Sequence, residues 1–553
     1  MKKAFCMALI ILLICLALFP IGCGTTEKEP ALPGDPSDSV DKEEQVKEKS
    51  VLKIGISDGH LGNSWVEKLA EIFEELYKDT EFETGKKGVQ VFLSHNRDYP
   101  ADMYDLYLFS GTDLFSKNVA EDMTSLFMEK VYDENGEISA NGTKSLLDRI
   151  DPNIASAFNY GTKQDPIYYL VPYEWGRKGF VYNHDLFQKK GWLTYSGIGG
   201  VPETTKEFID LLNKISGAGH IAYTLSFDNE KYMHEYQYGF LAQYEGEEKA
   251  LLNLTYNGLA TFAPDTFDEA TIAAEGIMVA EDGTQSVIIT EENAWLLAQQ
   301  AGKNEYVKFL REIINKKYLD PDINMTHTSS VAQKSFILSN FSDDDGNIAM
   351  LFDAEWWERE SKPYFDINAY GEVDFRFMPI PQAEGGVNEK QTVVISNVGP
   401  CYIKKGTNKK ELASKWIQMM YSATGCKIIL ENTGMVLPVQ FSLTDEEFAK
   451  LTPFARSVYT LKTSKDVDIF TVSPYQSGVS DLFLKGNLKM SGYGIGMKAF
   501  ALDPDGGIEE ANNNVFNYFW WRDHTAEEWI QGAKAYYTKT AWTEMYDKFI
   551  SQQ

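Results

Sequence analysis

An α/β fold built as two lobes is what this chain predicts, and three features carry the prediction. Short apolar strands alternate with amphipathic helices from residue 51 onward. Roughly 500 residues follow residue 50, more than one hydrophobic core usually holds. The composition, 43% hydrophobic and 13% aromatic, supplies the side chains to fill such cores.

The alternation opens with "VLKIGIS" (51–57), a short apolar strand, then "DGHLGN", then "SWVEKLAEIFEELY". In that helix Ser64 and Glu67 have the spacing of a capping box, and Trp65, Leu69, Phe73 and Leu76 make one apolar stripe. "VQVFLS" (89–94) and "YDLYLFSG" (104–111) are further strands, which predicts a βαβ sheet with binding loops at its strand ends. In the middle, "IYYLVPY" and "GFVYN" flank "EWGRK", and Thr204 and Glu207 cap the helix "KEFIDLLNKI" before the strand "IAYTLSF". Residues 229–317 are mostly helical by period. "GNIAMLFDA" (346–354), "VDFRFMPIP" and "TVVISN" return to strand, and "KKELASKWIQMMYS" is amphipathic helix. Beyond 440 the pattern is helical and loop-like, closing with Thr525 and Glu528 as caps of "AEEWIQGAKAYY". An awkward stretch, "DAEWWERE" at 353–360, sets two adjacent tryptophans among acids. Neighbouring side chains point in different directions, so Trp356 is expected to face ligand and Trp357 to pack beneath it.

The N-terminus reads "MKKAFCMALIILLICLALFPIGC": two lysines, an apolar run, then Gly22 before Cys23, as in a secretory signal. The run over 4–21 is nearly long enough to span a bilayer, so an uncleaved anchor is the alternative; Pro20 and Gly22 favour cleavage. The end of the run resembles a bacterial lipobox, in which Cys23 is diacylated and becomes the first mature residue. Residues 24–50 are polar, proline-spotted and free of aromatics, too poor in apolar surface to fold. As a flexible tether of about 27 residues they would hold a folded body roughly 30 Å from a membrane.

Formal charge is 52 minus 81, or −29, which excludes nucleic acid and anionic lipid surfaces as natural partners. Of five cysteines, Cys6 and Cys15 belong to the signal and Cys23 to the lipid anchor. Cys401 and Cys426 remain, either as one disulfide or as two buried thiols. With no CxxC, no HExxH and only seven histidines, no metal or other cofactor is expected.

Three motifs invite an enzyme and fail on context. "GISDG" (55–59) has the form of a nucleophile elbow, yet the next helix starts seven residues after Ser57 instead of at once. "GAGHIA" (217–222) follows a helix and precedes a strand, the reverse of a dinucleotide fingerprint. "DDDGN" (343–347) places its glycine too early for a calcium loop. A glycosidase pair of carboxylates stays open, because it is defined by a separation in space. No catalytic residue is named.

The order of landmarks resembles the extracellular solute-binding proteins of family 1, the sugar-binding receptors of ABC importers. "KIGISDGHLGNSWVEKLAEIFEE" looks like the family's first strand and helix, and "VPYEWGRKGFVYNHDLF" like its first crossover. "NIAMLFDAEWW" and "KKELASKWIQMMYSATGCKIILENTGMVLPV" are similar to its later landmarks. The resemblance implies the type II periplasmic-binding-protein fold: two α/β lobes joined by crossing hinge strands, one from 51–174 plus 396–440, the other from 178–394 plus 443–553. It implies a lipid-anchored, extracytoplasmic monomer that closes on a saccharide and delivers it to importer membrane subunits, without catalysis. Its ligand contacts would be Asp58, Asn63, Trp65, Asp113, Glu174 and Trp175 in the first lobe, and Tyr232, Tyr236 and Trp356 in the second. Such residue types suit sugars, whose hydroxyls need fixed polar partners and whose C–H faces pack on aromatic rings. Trp65 on its apolar stripe and Tyr232 and Tyr236 one helical turn apart also read as core, and Asp58 as a loop former. A peptide or charged-solute receptor of the same fold, or a surface glycoside hydrolase or lyase, are the alternatives.

Overall fold

The computed structural model describes residues 48–56, 61–94, 103–108, 119–226, 230–324, 326–341, 347–365, 373–388, 391–395, 398–464, 467–471, 478–482, 519–520 and 524–551. Cys23, Asp58, Asp113, Ser57 of the elbow-like motif and the acids at 343–345 lie outside them.

The first sheet grows from the strand–helix alternation. Ser50–Ile56 pairs in parallel with Val89–Ser94 on one side and Leu106–Leu108 on the other. A parallel pair needs a crossover, and Ser64–Leu76 supplies the first, burying Trp65, Val66, Leu69, Ala70 and Phe73. Phe73 meets Trp416 edge-on at 5.3 Å, which ties this helix to Lys410–Met420. Two details differ from expectation. Ser64 is already in the first turn; the cap position is Asn63, whose side chain makes no capping bond, because the helix starts one residue early. Leu76 is 51% exposed, since the stripe drifts off the core in the last turn. Val398–Ile403 then enters antiparallel between Leu106–Leu108 and Val171–Trp175, completing five strands.

The second sheet has the order Phe375–Pro379, Lys178–Asn183, Ile348–Ala354, Ile221–Leu225. Ile348–Ala354 is buried at all seven positions, as a strand covered on both faces must be. It runs parallel to Ile221–Leu225 and antiparallel to Lys178–Asn183. Thr204 caps Thr205–Gly217 as expected. Thr525 and Glu528 cap each other's backbone N–H groups at 3.1 and 2.8 Å. Trp357 sits in this lobe's aromatic core, 5.3–5.4 Å from Phe365, Phe375 and Phe454.

Two regions expected as helix or loop contain strands. Within 229–317, Gly258–Phe262, Gln285–Ile289 and Met278–Val279 form an antiparallel sheet. Its period is two: Ala260, Phe262, Val287 and Ile289 are buried, while Leu259 and Ile288 lie outward. The Asp282-Gly283 turn, with Gly283 at φ +85°, was its signal in the sequence. Beyond 440, Val467–Thr471 pairs in parallel with Gln391–Ile395; such non-local pairing leaves no local signature. Cys401 and Cys426 are both buried free thiols, and burial pushes the Cys426 thiol up to about 12.

Only Gly176 and Arg177 separate the first-sheet strand Val171–Trp175 from the second-sheet strand Lys178–Asn183. Glu355, just past Ile348–Ala354, extends the ladder there: its N–H donates to the Arg177 carbonyl at 3.0 Å. Its carboxylate accepts from the Arg177 N–H at 3.1 Å and pairs with the Arg177 guanidinium. The other side of the carboxylate takes Lys462 Nζ at 2.7 Å. All three side chains are 0–1% exposed. Burial alone would raise the Glu355 carboxyl, but Arg177 and Lys462 outweigh it and hold it below its ordinary value. Burial lowers the Lys462 ammonium to about 8 against the pull of Glu355.

Glu355→Gln leaves two cations buried without their counter-charge and should cost about 3–5 kcal/mol in chemical denaturation. The sign of the pH effect is fixed. A carboxylate depressed in the folded state stabilises above its unfolded pKa, and that stability drains away as pH falls below it. Wild type should therefore lose more stability than Glu355→Gln on acidification from about pH 5 to about pH 3. Equal losses would remove Glu355 from this role.

Candidate functional site

Open α/β sheets bind ligands beyond the carboxyl ends of their parallel strands. Here Ile221–Leu225 and Ile348–Ala354 end together, at Ser226 and at Asp353–Trp356. In the first sheet, Ser50–Ile56 and Leu106–Leu108 end side by side, with Ile56 opposite Leu108.

The loop after the first strand reaches the helix after Ile348–Ala354. Arg359, in the first turn of Trp357–Phe365, donates from Nε to the Leu61 carbonyl at 3.4 Å. Gly62, at φ +63°, leaves the space for it: a Cβ there would lie 2.4 Å from Arg359 Nη2. The two sheets therefore meet at these strand ends as well as at the Gly176-Arg177 crossover.

A buried polar cluster lines the second sheet's strand ends. Thr224 donates to Asp320 Oδ2 at 3.0 Å, and His327 Nε2 lies 3.3 Å from the same hydroxyl. Burial lowers the His327 pKa despite Asp320 and Asp322, so the ring is neutral near pH 7. Gln333 Nε2 donates to Asp353 Oδ2 at 3.0 Å and to Glu360 Oε2 at 2.9 Å. Ser329 bonds Ser226 at 3.3 Å. Hydroxyl, imidazole and carboxylate do not make a nucleophile here: Asp320 takes the Thr224 proton directly, and all three residues are at most 3% exposed. What the cluster offers is a preset bank of acceptors and donors.

Sequence reasoning named none of these residues. Their signal was position alone, at the ends of "IAYTLSF" and "NIAMLFDA".

The residues it did name are placed as follows. Asn63 is half-buried beside Gly62, at the mouth of the first-strand loop. Trp65 is 1% exposed and stacks on Tyr173 at 6.0 Å, the core position its stripe allowed. Glu174 and Trp175 belong to the strand Val171–Trp175 that leads into the crossover. Tyr232 and Tyr236 lie on Glu230–Glu245; the Tyr236 hydroxyl donates to the Pro381 carbonyl, and the residue is 6% exposed. Trp356 is 1% exposed, so it presents no ring face to solvent, contrary to the expectation for it. Gly176 and Lys178 close it in: a Cβ on Gly176 would touch its ring at 2.6 Å, and Lys178 Nζ is 4.9 Å from its centre.

One trio, His184, Asp185 and Asp374, could bring three ligand atoms within 4.8 Å of one another. Arg376 already occupies Asp374 at 2.6 Å, where a metal's charge would have to sit. No described helix is long and apolar enough to cross a membrane.

Gly62→Ala should destabilise by about 1–2 kcal/mol, from its left-handed backbone and from displacement of Arg359. In an Arg359→Ala background the penalty should shrink, and a double-mutant cycle in urea measures the difference. Additive costs would show that the two groups do not press on each other.

A family model for "Bacterial extracellular solute-binding protein" matches residues 59–425. Among solved structures, a probable secreted solute-binding lipoprotein from Streptomyces coelicolor aligns at TM-score 0.52 and 11% identity, covering 88% of this chain and 98% of its own. Apo RafE from Streptococcus pneumoniae aligns at 0.50 and 13%, covering 89% and 98%. A Caldanaerobius polysaccharolyticus protein from work on xylan utilization aligns at 0.50 and 14%, covering 88% and 99%. No curated protein matches the chain by sequence. The structural likenesses carry the two-lobed α/β fold, and the family model spans well over half of the chain: it belongs to the bacterial extracellular solute-binding proteins.

Proposed function

We propose that this protein is the receptor of an ABC importer that captures a carbohydrate, an oligosaccharide by preference, and hands it to the importer's membrane subunits. Diacylated Cys23 would hold it at the outer face of the membrane, with 24–50 as tether. Residues 51–174 plus 396–440 would form one lobe and 178–394 plus 443–553 the other, closing as a hinge on the ligand. Ligand must favour the closed form for that motion to report occupancy.

One observation carries the reading: two sheets share a crossover of two residues, with parallel strand ends gathered beside it. A crossover so short lets the lobes rotate as bodies while Glu355 keeps its base fixed. The saccharide class is supported by chemistry. Carboxylates, an amide and hydroxyls at the strand ends match a ligand dense in hydroxyl groups. The xylan-linked neighbour and the lipoprotein neighbour agree in kind with a sugar and with an anchor. Asp58, Asn63, Asp113, Glu174, Trp175 and Tyr232 are the proposed contacts, while Trp65, Tyr236 and Trp356 back them from within the lobes.

A thermal-shift screen of the mature protein against xylotriose, raffinose, maltotriose and short peptides tests the reading. A saccharide at 100 times its dissociation constant should add about 2.7 kcal/mol of stability. Stabilisation by peptides alone would overturn the carbohydrate assignment, and saccharide turnover would replace it with an enzyme. Cys23→Ser should move the protein from the membrane fraction to the medium; retention in the membrane would reject the lipid anchor. Trp356→Ala should lower stability by about 3–5 kcal/mol, as for a buried aromatic, and change affinity less than loss of a stacking face would. A large affinity loss at full stability would make Trp356 a direct contact.

A further inference from the structure

A groove of about 750 Å³ lies away from the strand ends, between the turn after Gly258–Phe262 and the C-terminal helix Ala526–Tyr536. Its volume is that of a small-ligand pocket. Trp295 and Tyr537 line its deeper part, 9% and 8% exposed, and Asp265, Asp268 and Lys534 stand on its exposed rim.

Two polar groups in its wall have no protein partner. Gln299 is only 8% exposed, yet its carboxamide makes no hydrogen bond with any described residue. The Trp295 indole N–H likewise meets no acceptor among them. Buried polar groups are normally satisfied, and an orphan pair in one groove wall calls for a partner from outside the chain.

We propose that this groove is a second saccharide site, separate from the interlobe crevice. The functional groups select the ligand class. The amide and indole N–H groups require acceptors, which a simple cation lacks. Carboxylates outnumber the single rim ammonium, which disfavours an anion. A neutral, polyhydroxylated ring meets all three demands: its oxygens accept from the floor, its hydroxyls donate to the rim, and its C–H surface packs on the exposed ring edges. The inference rests on the groove's own chemistry and does not require the interlobe reading. A site of this kind would hold a remote segment of a long glycan, or gather glycan at the protein surface.

Isothermal titration of the full mature chain with maltotriose, xylotriose and raffinose, up to tens of millimolar, tests it. At least one sugar should show a weak binding event that Gln299→Leu weakens tenfold or more. Asp265→Gly should weaken the same event several-fold. Asp265 sits at φ +61°, so glycine suits its backbone and this variant stays informative even if Gln299→Leu folds poorly. A tight event unmoved by both substitutions belongs to the crevice, so the two readings fail separately. No weak event with any of the three sugars, or one that survives both substitutions, overturns the proposal. Binding of choline in place of sugar overturns the ligand class.

Discussion

The carboxylate of Glu355 joins three stretches of chain that are remote in sequence. It extends the Ile348–Ala354 strand, neutralises Arg177 in the crossover, and fixes Lys462 on the helix Pro453–Thr463. Two cations and one anion share a volume without water, so one positive charge is in excess. Arg177 cannot shed its proton, and the strain falls on Lys462, whose ammonium is held at about 8. The carbonyl of Val436, 3.1 Å from Lys462 Nζ, and that of Val458, 3.4 Å from Arg177 Nη2, take part of the excess. Replacing such a cluster by hydrocarbon is often neutral or stabilising, which suggests a positional role: it fixes where one sheet stops and the other begins.

Packing around that point is correspondingly tight. Trp356 fills the space that a side chain on Gly176 would take, and Arg359 fills the space above Gly62. Both glycines are set by what lies against them, and Gly62 also by its left-handed backbone. The adjacent tryptophans divide their work accordingly. Trp357 joins Phe365, Phe375 and Phe454 in the core of the second lobe, while Trp356 turns the other way and lies against the crossover. Of the acids around them, Glu355 is consumed by the charge cluster and Asp353 and Glu360 by Gln333; Glu358 reaches Thr452 at 2.8 Å.

The sequence alone determined the strand–helix order, because a period of two or 3.6 is written locally. The fully apolar "IAMLFDA" announced a strand buried on both faces, and the stripe Trp65, Leu69, Phe73 announced a helix on a sheet. Quoted landmarks in their order were enough to indicate the family. Tertiary structure alone decided the rest. Whether a tryptophan is platform or core depends on what packs against its other face, and for Trp356 that is Gly176, 180 positions earlier in the chain. Asp353, Gln333 and Glu360 form one network only once a helix folds back across a strand end. Glu355 resembled its acidic neighbours in the sequence, and only burial between Arg177 and Lys462 separates it from them. Side-chain period is a local property of the backbone, whereas burial, charge pairing and ligand access depend on segments the local sequence does not contain.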